Sequence, residues 1–373
     1  MVVRGLPIRR KRMVKQVWWK LIIILKTLGL HLGLGFMLNK LMPNERYRVL
    51  ISTCTNYTES LAFTYKAYLN GSPSLFYGVL IPYEELSTAL AVVRRLVLNM
   101  HVNDELLIDM HYYIWHNDVE VLSSRRLRKY LRVVNAEDTA GKVIIAYPYS
   151  VRGADKERNE DSVGVISIKH CGEEATLLHV FAIADGVSSL HGGDYASSFS
   201  VRSFISGALS LMGSAITNLG ESLRELLMRI HAELQEYAKR GNVSMGTTFT
   251  GGVIVQRRDA ATATIVHVGD SRAYKIVGNT VSRLTTDHSL GDHVITQALG
   301  YVIRNIDTYE TMIGRNTYLV LTTDGVTDTV TDDTIGRIVH EYKYPRHISW
   351  ALVNAAGKLG SRDDATALTI WRT

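Results

Sequence analysis

Four strand ends that each carry an acidic residue constrain this chain more than any other feature. The clearest is LVLTTDG at 319–325, where Asp324 and Gly325 follow a stretch that reads as a buried strand. HVFAIADG puts Asp185 and Gly186 in the same place, and IVHVGD puts Asp270 after Val266, Val268 and Gly269. Near the C-terminus, SRDDATALTI sets Asp363 and Asp364 just before a last strand. Glycine after an acid tolerates a tight turn. Buried carboxylates without partners are costly, and hard divalent cations are the partners that an oxygen-only cluster takes. These acidic strand ends, roughly 180 residues from first to last, therefore predict one cation site at the edge of a sheet.

The chain of 373 residues is long enough for two domains, and 46% hydrophobic residues supply a sizeable core. Its net charge of +6 is an uneven average. Residues 1–48 carry eleven Lys and Arg against one acid, Glu45, so the remainder is net negative. The basic character is thus separate from the aspartates and argues against a nucleic-acid enzyme. Cys54 and Cys171 stand far apart with no CxxC, which excludes a disulfide framework or a zinc ribbon; a reducing cytosol is the simplest compartment.

Residues 1–45 form a basic and apolar segment. Its run at 17–38 is interrupted by Lys26 and His31 and follows RRKRMVK. Three readings stay open: a membrane-associated or spanning helix, a buried helix, or a start codon placed too early, with Met37 or Met42 as the true beginning. Residues 46–142 read as a small mixed α/β domain of unknown role, with strands at 46–52 and 74–82, helices at 84–100 and 123–134, and an aromatic run at 106–116. His111 and His116 there read as structural. NAEDTAGK at 135–142 is the linker.

From Val143 the texture changes. Strands, two helices (YASSFSVRSFISGALSLM and ESLRELLMRIHAELQEYAKR), three consecutive strands with tight turns, two further helical stretches and a closing strand follow in order. The order predicts an α+β fold: an α-β-β-α layered sandwich of two mainly antiparallel sheets flanked by helix pairs.

Seven pieces of this half, KERNEDS (156–162), ADGVSS (184–189), MGTTFTGGVIV (245–255), VHVGDSRAY (266–274), LTTDHSL (284–290), LTTDGVTD (321–328) and SRDDATALTI (361–370), stand in the order of one family. Residues 143–373 resemble the type 2C family of metal-dependent Ser/Thr protein phosphatases. The resemblance implies two metals, Mn2+ or Mg2+, at one end of the sandwich. Asp185 matches the acid bridging both metals, with the Gly186 carbonyl as a further ligand. Asp324 and Asp363 match acids of the first metal, Glu160 with Asp161 the acidic pair near the second, and Asp270 a ligand of a weaker third. Two such ions can lower the pKa of a shared water for in-line attack on phosphorus without a phosphoenzyme. The implied activity is hydrolysis of phosphoserine and phosphothreonine in phosphorylated protein substrates. The implied setting is cytoplasmic, with membrane association through residues 17–38 left open.

The sequence departs from the family pattern at four places. Lys156 stands where an Arg commonly grips the substrate phosphate, and Lys lacks the two-pronged donor geometry. Arg158 and Arg152 are nearby alternatives. Ser188 and Ser189 replace a usual Gly pair, Asp364 replaces a usual Asn, and the segment after DHSL is short where microbial members carry a flap. Lys156 and the short segment motivate one alternative, a phosphatase-like regulatory or binding protein with little turnover; a further alternative keeps the chemistry in a phosphatase restricted to one partner regulator.

Overall fold

The computed structural model describes residues 47–49, 60–82 and 144–373, apart from 172–175, 213–217, 258–259 and 291–293. The apolar run 17–38, the stretches at 84–100, 106–116 and 123–134, and the linker at 135–142 lie outside the described residues.

In chain order the elements are strands β1 (Tyr47–Val49), β2 (Ser60–Leu69), β3 (Ser72–Pro82), β4 (Ile144–Val151), β5 (Ser162–Cys171) and β6 (Thr176–Ala184), then helices α1 (Gly193–Met212) and α2 (Leu219–Gly241). Next come β7 (Phe249–Arg257), β8 (Ala260–Val268), β9 (Arg272–Val277), β10 (Thr280–Arg283), β11 (Ser289–Leu290), β12 (Val294–Ile295), β13 (Asp307–Met312) and β14 (Thr317–Thr322). The chain ends with α3 (Asp324–Thr327), α4 (Asp332–Tyr342), α5 (Pro345–Lys358) and β15 (Ala365–Arg372).

Among the described residues, two large sheets form. One has the order β1-β3-β2-β5-β6-β7-β8-β13, the other β10-β9-β14-β15-β4. All their pairings are antiparallel except β1 with β3. Three apolar clusters separate four layers. Phe204, Leu223, Leu227 and Ile230 lie with Val180 and Val253 between the first helix pair and the larger sheet. Phe181, Ile183, Ile265, Leu319, Leu321 and Ile370 fill the space between the sheets. Tyr274, Val320, Ile335, Ile348 and Leu352 lie between the smaller sheet and α4 and α5. Each fully buried Ile, Leu, Val or Phe side chain contributes about 1.5–3 kcal/mol.

The helices form where the sequence pattern directs them. In α2, Leu223, Leu226, Leu227, Ile230 and Leu234 share a buried stripe. Asn218 caps this helix by accepting from the Glu221 amide, and Asn242 closes it in the left-handed region. The expected layered sandwich is the observed one.

The expected division at residue 142 meets a correction. Residues 60–82 do not build a separate unit: β2 pairs along all ten residues with β5, from Ser60 opposite Cys171 to Leu69 opposite Ser162. Strand β2 was not among the expected elements. Unpaired strand edges bond to any suitable strand, and β5 would otherwise present such an edge. The segment therefore extends the larger sheet by a hairpin.

Candidate active site

Strand register gathers the acidic positions at one end of the sandwich. In the larger sheet, Ser162 at the start of β5 lies opposite Ala184 at the end of β6, and Phe249 opposite Val268. In the smaller sheet, Arg272 lies opposite Thr322, Thr322 opposite Ala367, and Ala365 opposite Val151. The flanking residues Glu160, Asp161, Asp185, Asp270, Asp324, Asp363 and Asp364 therefore emerge together. The close packing leaves no room for a side chain at Gly325, where a Cβ would stand 2.0 Å from the Asp364 carbonyl oxygen.

Asp161 is fully buried, and one of its oxygens accepts from the Thr323 hydroxyl at 2.9 Å. Burial pushes its carboxyl well above the usual range, and the charges of Asp364 and Asp324 add to that. Burial likewise raises Asp185 well above its usual value, reinforced by the charges of Asp324 and Asp161. Asp270 is raised to about 7 by burial, then by the charges of Asp324 and Asp287.

Backbone bonds fix the loops. The Asp185 amide donates to the Thr248 hydroxyl at 3.1 Å, and its carbonyl accepts from the Thr248 amide at 2.8 Å and the Thr247 hydroxyl at 2.7 Å. Thr248 in turn bonds Ser271, next to Asp270, at 2.6 Å. The Gly186 amide donates to the Glu160 carbonyl at 3.2 Å, tying two acidic loops together. Asp364 accepts from the amides of Gly153 at 2.8 Å and Glu160 at 2.7 Å. It therefore organises the loop that carries Glu160 and Asp161. The sequence alone assigns Thr247, Thr248, Ser271 and Thr323 no role, although MGTT and LTTDG contain three of them. A hydroxyl beside an acid carries no distinctive signal until register shows what it faces.

The rim is cationic and paired. The Lys156 ammonium donates to the Ser188 hydroxyl at 2.5 Å and lies 2.7 Å from Asp363, whose side chain is 47% exposed. Burial alone would lower the Lys156 pKa, but the Asp363 hydrogen bond and charge more than offset it, so the net direction is upward. Two departures from the family pattern, Lys156 and Ser188, thus touch each other. Arg158 pairs with Asp194 at 3.2 Å, and Arg152 donates to the Glu157 carbonyl at 2.9 Å. Behind Asp270, Asp287 is held by Arg272 at 2.8 Å and by Arg283, while His288 accepts from the Gly269 amide at 3.1 Å and reaches Asp307 at 3.1 Å. Both are engaged in supporting bonds.

Among the described residues, no three His, Cys, Asp or Glu side chains already surround one point as a finished metal shell. The fit to cations rests on other observations. Asp161, Asp270 and Asp324 each have a buried carboxylate oxygen with no hydrogen-bond partner. Such oxygens are costly unless a cation meets them. The donors are all oxygen, which suits Mg2+ or Mn2+ rather than softer metals. The residues present fit hard divalent cations.

The sequence profile of Protein phosphatase 2C matches residues 153–351. The chain is 25% identical over 245 residues to the serine/threonine phosphatase Stp of Listeria monocytogenes, covering 59% of this chain and 93% of that protein. Against the protein phosphatase PhpP of Streptococcus pneumoniae it is 26% identical over 242 residues, covering 58% and 93%. Among solved structures, the serine/threonine phosphatase Stp1 of Staphylococcus aureus superposes with a TM-score of 0.53 at 23% identity, covering 62% of this chain and 96% of that one. PppA of Pseudomonas aeruginosa gives 0.50 at 23%, covering 62% and 99%. These two structures share the layered fold.

Proposed function

The chain belongs to the protein phosphatase 2C family, and we propose that its acidic end is a metal-dependent active site acting on phosphoserine and phosphothreonine in protein substrates. It is a protein serine/threonine phosphatase by family and by its curated relatives. The observation that carries the site assignment is the set of buried, partnerless carboxylate oxygens on Asp161, Asp270 and Asp324 beside the raised Asp185.

In this reading Asp185, Gly186, Glu160, Asp324 and Asp363 hold two divalent cations, Mn2+ or Mg2+, and Asp270 serves a weaker third. When bound, such cations activate water at neutral pH and neutralise charge on the phosphoryl oxygens. The residues of the chain do the rest. Asp161 stays buried behind Glu160 and fixes its loop through the Thr323 bond. Thr247 and Thr248 hold the Asp185 backbone, so the carboxylate is aimed before substrate arrives. Lys156 sits on the open side and supplies a point charge to the phosphate, with Ser188 orienting its ammonium. Peptide substrates approach over this rim.

Residues 1–45 and the part of 46–142 outside the hairpin are proposed as a docking or regulatory module, with membrane association through 17–38. No helix among the described residues is long and apolar enough to cross a membrane. A cytoplasmic setting for residues 143–373 agrees with the sparse cysteines of the sequence, Cys54 and Cys171, far apart and in no CxxC.

The test is phosphate release from a phosphothreonine peptide and from a small aryl phosphate by the full chain with Mn2+, Mg2+ or EDTA. Metal-dependent release from the peptide supports the proposal. Release from the small ester alone favours an enzyme restricted to one partner. No release from either, with calorimetric metal binding intact, favours a binding protein.

A further inference from the structure

We infer that the hairpin turn Asn70–Gly71, which lies outside the matched family region, is a positioning element of the acidic site. The inference rests on the phosphatase reading and adds a control point to it. Leu69 faces Ser72 across a two-residue loop, and both loop residues have positive φ, 49° at Asn70 and 71° at Gly71. Asn-Gly is the pair that this turn favours.

The turn lands on the site's own supports. The Asn70 amide donates to the Ser162 hydroxyl at 3.3 Å, and its side-chain amide to the Asp194 carbonyl at 2.8 Å, in the first turn of α1. Ser162 bonds Ser197 at 3.1 Å, and Ser197 donates to the Glu160 carbonyl at 2.5 Å. That carbonyl is the one that receives the Gly186 amide. Gly71 lies flat against Asn159, where a Cβ would meet the Asn159 amide nitrogen at 2.7 Å. Asn159 is only 4% exposed and acts as a strut: it donates to the Ser150 hydroxyl at 3.0 Å and accepts from the Asp161 amide at 2.8 Å. One turn thereby braces the loop of Glu160 and Asp161 on one side and the start of α1 on the other. Ala67, fully buried, and Leu69 pack with the α1–α2 core, while Tyr68 stands edge-on to Tyr149 at 6.0 Å. The brace is anchored on both faces of the sheet.

A second hairpin provides a control. Gly278, between β9 and β10, also has positive φ, 55°, but a Cβ there meets nothing within 4 Å. Alanine strains the backbone at both positions but touches the site only at Gly71.

The experiment titrates Mn2+ into the full chain by calorimetry for wild type, Gly71→Ala, Asn70→Gly and Gly278→Ala, with melting temperatures taken alongside. Gly71→Ala is expected to weaken Mn2+ binding roughly tenfold, the scale of lost support behind a ligand. Asn70→Gly keeps the turn conformation and loses the bond to Asp194, so it weakens binding less, in the same direction. Gly278→Ala loses melting temperature without losing affinity. Excess Mn2+ restores kcat on the phosphopeptide in both turn variants. If Gly71→Ala does not fold, Asn70→Gly decides. Wild-type affinity in the turn variants, or an equal loss in Gly278→Ala, overturns the inference while wild-type metal-dependent hydrolysis leaves the phosphatase reading standing. Wild type that neither binds Mn2+ nor releases phosphate overturns both.

Discussion

The inner and outer acids of this site live under opposite rules. Asp161, Asp270 and Asp324 each keep a buried oxygen without a partner, and Asp161, Asp185 and Asp270 are pushed toward protonation. A few residues away, Asp155, Asp194 and Asp363 are paired with Arg362, Arg158 and Lys156. The rim is closed within the chain, whereas the interior is completed only from outside. Native proteins bury unpaired carboxylates where function requires it, because removing one partner of a buried charge is costly. The contrast separates buried carboxylates that lack a partner from exposed ones already paired within the chain, and Asp363, a proposed ligand held by Lys156, stands where the two sets meet.

The largest effect should come from breaking the inner set. Asp185→Asn keeps the shape and removes the charge shared among the acids. Phosphatase activity should fall by at least roughly 10²–10³-fold, with calorimetric Mn2+ binding lost in parallel. The metal-free protein should become more stable, because a repulsive buried charge is gone. A rise of roughly 2–4 °C in Tm accompanies each kcal/mol in a domain of this size. Reduced stability together with retained turnover would remove Asp185 from the centre.

The next effect is on pH. Asp270 binds its proton up to about pH 7 in the folded, metal-free chain, against an ordinary value of 3.8. Between those values the folded state holds more protons than the unfolded one, so stability is greatest below 3.8 and declines as pH rises through 7. Asp161 and Asp185 are shifted in the same direction. In EDTA, these groups should make Tm fall from about pH 5 toward about 7.5, and saturating Mn2+ should flatten that slope by stabilising the charged carboxylates. Below about pH 7, metal binding should release protons, seen as a buffer-dependent calorimetric heat. A Tm that rises with pH in EDTA would place the inner acids in pairs like those of the rim.

The inner acids are legible in the sequence and the rim only partly so. Asp185, Asp270 and Asp324 stand out because one pattern, an apolar run closed by an acid, recurs along the chain, and a turn needs no such recurrence. Lys156 is visible as a departure, but its contact with Ser188 joins positions 32 residues apart in sequence and needs the fold. Asp364 is visible as an extra charge. Its two backbone bonds to Gly153 and Glu160 depend on how the end of the chain returns beside β4. The hairpin carries a readable signal in Asn70-Gly71 and in the alternation of Leu61, Phe63, Tyr65, Ala67 and Leu69 with Ser60, Ala62, Thr64 and Lys66. What it pairs with is a long-range choice: Leu69 meets Ser162 on β5, far along the chain. The helices of the layered domain are the most legible elements, since their stripe repeats locally.

The smallest effects belong to the rim, and they divide it further. Lys156 faces both Asp363 and the open side, so Lys156→Ala should raise KM for the phosphopeptide about three- to tenfold with kcat changed less. It should not weaken Mn2+ binding, because the ammonium competes with a cation for the Asp363 carboxylate. Arg362 is the internal comparison. Its pair with Asp155 is exposed, and the arginine holds that carboxyl below its ordinary range. Solvent screens such a pair, and neither member touches the buried acids. Arg362→Ala should change KM and Mn2+ affinity by less than about twofold. Steady-state kinetics with parallel calorimetry separates the two variants. An unchanged KM in Lys156→Ala would shift phosphate binding to another cation, with Arg158 first in line because Asp194 holds it at the same rim. A large loss in Arg362→Ala would mean that the loop from Gly153 to Asp161 depends on its outer clasp as much as on Asp364 and the Asn70–Gly71 turn.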